Sequence, residues 1–239
     1  MTCDSGPSVW LGKKGEGVDE EVMAVFPRMA AILPEGELGA ASVRHRALEN
    51  QAAREASYVA GQYIPTAPGI YALLFVTNEL GSSTCMMSDL GYERSTCLEV
   101  VKRAHGHVLT AGLGLGMILH PILKNPSVAS VTVVEKCQDV IGLISPSLPS
   151  TPKLAIHAGD IFMWTPPPDV RYDVIWFDIW PDIDATRLPE MAELHGRFAR
   201  YLNHNNSGCW MESWHRQESE SIRARTATRS QAIVSKPGS

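Results

Sequence analysis

Three alternating glycines follow a short apolar run near the middle of the chain. The apolar run is Val108–Ala111, and the glycines are Gly112, Gly114 and Gly116. An apolar run of this length is typical of a buried strand, and glycines after it allow φ > 0 and a close approach of the backbone to a ligand. A helix that starts next would offer free N–H groups to a carboxylate or phosphate. Taken alone, the pattern fits a ligand-binding loop and a plain tight turn about equally well.

The spacing of these glycines argues against two common kinds of nucleotide site. In the dinucleotide-binding fingerprint the third glycine is the sixth residue of the motif. Met117 occupies that position here, and Gly116 comes one residue too early. A phosphate-binding P-loop ends in Gly-Lys-Ser/Thr, which this segment lacks. We therefore expect neither a nicotinamide-dependent enzyme nor a nucleoside triphosphatase.

Three acidic residues follow predicted strands farther along the chain. They are Glu135 after Val128–Val134, Asp160 after Leu154–His157, and Asp178 after Val174–Phe177. Because ligands of open α/β sheets bind at the carboxyl ends of the strands, these side chains are expected near the glycine turn. Glu135 is then placed to accept hydrogen bonds from both hydroxyls of a ribose. A strand-end glutamate considered alone is more often a solvated cap.

The other two acidic residues have separate candidate roles. Asp160 is placed to accept a hydrogen bond from an adenine amino group while Ile161 packs on the ring, and the alternative role is that of a helix N-cap. Asp178 is expected opposite the glycine turn. That is the position for a substrate ligand or a general base.

The elements that would position these residues alternate between strands and helices in the second half of the chain. This rhythm predicts an α/β fold with a doubly wound, mostly parallel sheet. Few apolar residues follow Leu202, so the sheet is expected to be shortened at its carboxyl end. Ahead of it, the apolar periodicity predicts helices over Val18–Ile32 and Leu38–Gly61. A β-hairpin is predicted to pair Ile70–Thr77 with Thr84–Ser88.

These elements divide the chain into four predicted segments. They are an N-terminal helical extension (1–67), a β-hairpin (68–92), a Rossmann-like domain (93–214) and a polar C-terminal tail (215–239), the last being either a solvated helix or an irregular tail.

Residues from about Leu73 to Trp214 resemble class I S-adenosylmethionine-dependent methyltransferases, and in particular their spermidine-synthase-like branch. The motifs that carry the resemblance are Val108–Gly116, Val131–Glu135, His157–Ile161 and Tyr172–Asp178, together with Met86–Asp89 and Glu93 in and after the hairpin. The resemblance implies S-adenosylmethionine as the cofactor, with Gly112, Gly114 and Gly116 passing under its methionine moiety. By the same analogy Glu135 holds the ribose, Asp160 and Ile161 bind the adenine, and Asp178 faces the substrate as the catalytic residue.

The resemblance implies methyl transfer to a small or unidentified acceptor, and two other functions stay open. The first is aminopropyl transfer, although the enzymes of that class carry an aspartate in the glycine loop where this chain has Leu115. The second is a non-catalytic subunit that binds the cofactor.

Composition narrows the classes of partner and location. A formal net charge of −5 without a basic block argues against a dedicated nucleic-acid binder. The five cysteines are scattered, with no Cys/His cluster at metal-ligand spacing, so no metal site is expected. We find neither a signal-peptide pattern nor a membrane-spanning run, and we expect a cytoplasmic protein. The expected partner is a small-molecule substrate, and both a monomer and a homodimer stay open.

Overall fold

An antiparallel sheet forms the first part of the computed structural model, which describes residues 25–50, 52, 58, 59, 62, 63 and 66–234. Its strands are β1 (Gly36–Leu38), β2 (Ala41–Leu48), β5 (Gly69–Thr77) and β6 (Ser83–Ser88), hydrogen-bonded in the order β1-β2-β5-β6, while β3 (Tyr58–Val59) and β4 (Gln62–Tyr63) pair separately. The β5–β6 hairpin agrees with the prediction to within one residue at each strand start. The hairpin is not isolated, because β5 pairs with β6 on one side and with all of β2 on the other.

A parallel sheet of five strands forms the second part. The strands are β7 (Gly106–Ala111), β8 (Val128–Glu135), β9 (Leu154–Ala158), β10 (Val174–Phe177) and β11 (Trp210–Ser213), in the spatial order β11-β10-β7-β8-β9. The chain builds outward from β7 to β9 and then returns to the other side of β7 with β10. The order therefore reverses between β7 and β10, where open α/β sheets bind their ligands. This is the predicted doubly wound α/β fold.

Helices follow β6 of the antiparallel sheet and most strands of the parallel sheet. They are α1 (Gly91–Thr96), α2 (Leu98–Arg103), α3 (Leu119–Lys124), α4 (Gln138–Ile144), α5 (Leu188–Phe198) and α6 (Arg216–Val234), with 3-10 turns at Met29–Ala31, Ser145–Ser147, Ala185–Arg187 and Ala199–Tyr201. The connection from β9 to β10 carries no helix. None of these helices is long and apolar enough to cross a bilayer.

One continuous apolar core joins the two sheets. Val108 and Val131 of the parallel sheet pack in the same cluster as Ala41 and Val43 of the antiparallel sheet. The opposite face of the parallel sheet packs against α5 in a second cluster. All of β10 is buried, as its uninterrupted apolar sequence predicts for a strand covered on both faces. This shared core holds the antiparallel sheet against the parallel sheet, whose carboxyl edge carries the candidate residues.

The predicted helix over Leu38–Gly61 is wrong where β2 (Ala41–Leu48) and β3 (Tyr58–Val59) form instead. The physical reason lies in β5, whose β-branched and aromatic residues need a pairing partner on each side. Burial in that sheet outweighs the helical propensity of the alanine and arginine residues. Of the helix predicted over Val18–Ile32, residues 18–24 lie outside the described residues. The prediction is wrong for nearly all of the rest, where the regular element is a 3-10 turn at Met29–Ala31.

Beyond the parallel sheet, the last segment is helical. Helix α6 spans Arg216–Val234 and is largely exposed where its side chains are described. Of the two alternatives for the polar tail, the solvated helix is therefore the one observed.

Candidate functional site

A cavity of about 550 Å³ opens at the carboxyl edge of the parallel sheet. The ends of β7, β8, β9 and β10 form its floor, and the hairpin with α1 forms the facing wall. Of the predicted site residues, those that line it are Gly112, Gly114, Glu135, Asp160, Ile161 and Asp178. Gly116 does not line it.

The glycine turn leaves β7 in a conformation that only glycine adopts without strain. Gly112, Gly114 and Gly116 have φ of +92°, +51° and +71°. A Cβ atom at Gly112 would overlap the backbone carbonyl oxygen of Asp178, across the point where the strand order reverses. At Gly116 it would instead meet Leu148 beneath the loop. The first two glycines thus shape the cavity floor, whereas Gly116 allows the turn to pack on the protein below.

Glu135 ties the end of β8 to the glycine turn. One carboxylate oxygen accepts a hydrogen bond from the Leu113 N–H at 2.8 Å, and the other accepts one from the Cys137 N–H at 2.7 Å. A carboxylate has about four lone-pair positions, so each oxygen keeps one for a further donor. The residue is a local cap and a potential hydroxyl acceptor at the same time.

Asp160 combines a turn-capping role with a position on the cavity wall. One of its oxygens accepts from the Phe162 N–H at 3.0 Å, and the other pairs with the Lys136 ammonium at 2.9 Å. The Lys136 hydrogen bond is the largest influence that lowers the pKa of Asp160. Ile161 beside it is buried and presents an apolar surface to the cavity. Arg197 secures this loop by donating to the Ile161 carbonyl.

Asp178 lies at the carboxyl end of β10, directly beside the glycine turn. Its N–H donates to the Ala111 carbonyl at 2.9 Å, which continues the pairing of β10 with β7. Desolvation raises the pKa of the Asp178 carboxyl to about 7 although part of its surface faces the cavity. The Trp176 indole N–H opposes this shift, but it makes no hydrogen bond of normal geometry. The side chain can therefore exchange a proton near neutral pH.

Glu93 is a site residue that was not among the predicted ones. It projects from α1 into the cavity wall, and its carboxylate accepts a short hydrogen bond from the Ser88 N–H. Burial raises the pKa of Glu93 to about 8, and the neighbouring Asp178 adds to the shift. In the sequence Glu93 is one acidic residue in a polar stretch, and only its place near the hairpin motif singled it out.

Met87 connects the hairpin to the glycine turn. Its sulfur lies 3.3 Å from the Leu115 backbone nitrogen, and it fills the space in which a Cβ of Gly114 would stand. The hairpin wall is therefore in direct contact with the loop that the sequence identified as the binding loop.

Aromatic residues around β10 divide between the core and the cavity. Phe177 is wholly buried, and Trp176 is almost so. Trp180 lines the cavity and donates its indole N–H to Glu190 at 2.7 Å. Trp164 lies away from the cavity, beside the ring of His157.

No group of three or more potential metal ligands comes together within the described ranges. The cavity is lined by carboxylates, by the basic side chains of Lys136 and Arg187, by the thiols of Cys97 and Cys137, and by apolar and aromatic walls.

Comparison with known proteins finds solved methyltransferase structures that are similar to part of the chain. No family model matches the chain, and no curated protein does. Similar structures include the S-adenosylmethionine-bound amino pentose methyltransferase CalS10 from Micromonospora echinaspora, with 20% identity, 44% of each chain covered and a TM-score of 0.33. Another is the N-methyltransferase NodS from Bradyrhizobium japonicum with S-adenosylhomocysteine, with 16% identity, 46% of this chain and 57% of that chain covered, and a TM-score of 0.37.

The match covers less than half of this chain. The chain covers less than two thirds of the length of either structure. At these identities the likeness is one of fold, and TM-scores below 0.5 support no conclusion about activity. The case for a function rests on the geometry of the cavity.

Proposed function

We propose that this protein is an S-adenosylmethionine-dependent methyltransferase that acts on a small acceptor. The observation that carries the proposal is the meeting of Gly112, Glu135, Asp160 and Asp178 around one cavity at the reversal of strand order. Each residue follows a different strand, so their meeting is a property of the fold and not of one local motif.

The residues at the cavity suit the parts of this cofactor. Glu135 retains lone pairs for ribose hydroxyls, and Asp160 has a carboxylate beside the apolar Ile161, which suits an adenine ring. The glycine turn brings backbone to the cavity floor without side chains in the way. A cavity of about 550 Å³ lies within the range of small-molecule sites.

In the reaction, the protein aligns the acceptor with the methyl group and removes the acceptor's proton. The bound cofactor supplies an already activated methyl group. The chain needs to hold an acceptor in line with that group and to exclude water. Asp178 is placed to take the acceptor's proton, since a base works best when its pKa lies near the working pH. Trp180 and Trp214 provide cavity walls for a small-molecule acceptor.

Leu115 bears on the choice between methyl and aminopropyl transfer. Residue 115 is a fully buried leucine and not an aspartate, so the glycine loop presents no carboxylate to the cavity at this position. An amine-binding group in the loop is thus lacking, which favours methyl transfer from the intact cofactor.

Cofactor binding is the first test. We expect S-adenosylmethionine and S-adenosylhomocysteine to bind the wild-type protein, with micromolar dissociation constants by calorimetry. Glu135→Gln is expected to weaken both by about 10-fold or more, because an amide cannot accept all the hydrogen bonds that the carboxylate does. Glu99→Gln on the exposed side of α2 is the matched control. Stronger binding of decarboxylated S-adenosylmethionine would favour aminopropyl transfer, and no binding of any of the three would contradict the proposal.

Asp178→Asn separates binding from chemistry. We expect the variant to keep its affinity for S-adenosylhomocysteine within about threefold, whereas turnover falls by about 10²–10⁴-fold because no base accepts the acceptor's proton. Turnover is measured as S-adenosylhomocysteine release with whichever of a panel of small amines, thiols and alcohols gives the highest wild-type rate. Unchanged turnover would remove Asp178 from the mechanism.

A further inference from the structure

Two carboxyl groups face the same cavity from opposite walls. Glu93 belongs to α1 on the hairpin side, and Asp178 belongs to the edge of the parallel sheet. They are near enough for the charge of Asp178 to act on Glu93. The hydrogen bond from the Ser88 N–H occupies only one oxygen of Glu93.

No basic side chain compensates these carboxyls in the part of the chain that the structure describes. The two basic residues on the cavity lining are nearest to other carboxylates. Lys136 lies 2.9 Å from Asp160, and Arg187 lies 3.8 Å from both Asp182 and Glu190, with no hydrogen-bond partner for its Nε among the described residues. Arg94, next to Glu93 in sequence, forms its ion pair with Asp89. The thiol of Cys97 stays neutral because burial raises its pKa well above its ordinary value. Among the described residues, no basic group is close enough to Glu93 or Asp178 to lower the pKa of either carboxyl.

Uncompensated carboxyls in a desolvated place are unfavourable for the protein alone. Both respond by taking up protons more readily, as the raised pKa values of Glu93 and Asp178 indicate. A cation that enters between them would reverse this response and gain charge-assisted hydrogen bonds. The site is thus suited to a positively charged group at the place where the acceptor must stand.

We propose that Glu93 is a second catalytic residue of the site, and that with Asp178 it binds a single protonated amino group of the acceptor. This inference rests on the proposed methyltransferase function. The ammonium gives one proton to the Asp178 carboxylate while Glu93 holds another of its N–H bonds. The nitrogen lone pair then forms the N–CH₃ bond as the C–S bond breaks, and the bonding pair stays on sulfur as a thioether.

A purely structural role for Glu93 is the competing explanation. The residue lies in the first turn of α1 and accepts from the Ser88 N–H, so it could serve only to fix the hairpin against the helix. Glu93→Gln distinguishes the two roles, because a glutamine keeps the acceptor oxygen for Ser88 and removes the charge.

The test compares three ligands that differ at the point of transfer. S-adenosylhomocysteine is neutral there, S-adenosylmethionine carries a sulfonium, and sinefungin carries an amino group that projects towards the acceptor. We expect the wild type to bind sinefungin about 10-fold more tightly than S-adenosylhomocysteine and to release roughly one proton per sinefungin at pH 7.5, measured by calorimetry in buffers of different ionisation enthalpy. Glu93→Gln is expected to remove most of this preference and most of the proton release, and Glu99→Gln to change neither.

Other binding results would contradict either the amino-group inference alone or both proposals. A wild type that binds S-adenosylhomocysteine but neither prefers sinefungin nor releases protons overturns the amino-group inference and leaves the methyltransferase proposal standing. The same holds if Glu93→Gln behaves as the wild type. Equal losses for sinefungin and S-adenosylmethionine would place the two carboxyls at the sulfonium and not at the acceptor. Failure of all three ligands to bind the wild type overturns both proposals. The wild-type measurements decide the matter even if Glu93→Gln does not fold.

Discussion

Replacing Arg94 with methionine is expected to lower the free energy of unfolding by about 3–5 kcal/mol, because it leaves the buried carboxylate of Asp89 without its counterion. The side chains of both residues are inaccessible to solvent, and their N–O distance is 2.9 Å. Arg94 also donates to the backbone carbonyls of Phe26, Pro27 and Asp89, while Asp89 accepts from the N–H groups of Met29 and Ala72. The pair therefore joins α1, β5 and the segment around Met29.

Urea denaturation followed by fluorescence measures this change, and Arg103→Met is the matched control. Arg103 forms an ion pair with Glu99 at 2.7 Å, but both side chains are partly exposed. Exposed pairs contribute about 0–1 kcal/mol, so the control should lose little. An Arg94→Met variant that is within 1 kcal/mol of the wild type would show that the buried pair is not what holds the antiparallel sheet in place.

The parallel sheet was predictable because its strands are short, apolar and evenly separated. Val174–Phe177 is the clearest case, since four consecutive apolar residues leave no polar face for solvent, and all four are buried. The register of the candidate residues followed from the fold, because in a parallel sheet every strand ends at the same edge. Gly112, Glu135 and Asp178 could therefore be assigned to one place without knowledge of any contact.

The antiparallel sheet was not predictable to the same degree. In β2 the buried residues do not alternate strictly, and Arg44 and Arg46 suit a helix as well as an exposed strand face. What decides the conformation is β5, which lies about thirty residues away along the chain and stands opposite every residue of β2 in the antiparallel pair. Propensity within one segment holds no information about such a partner.

The site residues that the sequence missed share this dependence on distant partners. Glu93 becomes part of the cavity only because α1 is packed against the sheet edge, and the Arg94–Asp89 pair helps to fix α1 there. Local sequence reports which residues end a strand, but not which residues of another sheet face them. The floor of the cavity was thus accessible to prediction and the facing wall was not.

Gly112→Ala is expected to have the second large effect, on stability and on cofactor binding together. The residue has a φ of +92°, and an added methyl would overlap the Asp178 carbonyl oxygen, which belongs to backbone that cannot move freely. Left-handed backbone and overpacking together predict a loss of about 2–5 kcal/mol in the free energy of unfolding. Because relief of the overlap must separate β7 from β10 at the cavity floor, affinity for S-adenosylhomocysteine should fall by at least about 100-fold.

Two other glycines separate the causes of this effect. Gly81 in the β5–β6 turn has a φ of +78° with open space around it, so Gly81→Ala should show only the conformational cost of about 1–2 kcal/mol and unchanged ligand affinity. Gly196 lies within α5, also in open space, and Gly196→Ala should stabilise the protein by about 1 kcal/mol. If Gly112→Ala cost no more than Gly81→Ala and bound the ligand normally, the close approach of the glycine turn to Asp178 would not be what forms the cavity floor. Urea denaturation and calorimetry on the three variants decide this, because only Gly112 combines a left-handed φ with a backbone neighbour from the strand that carries the proposed base.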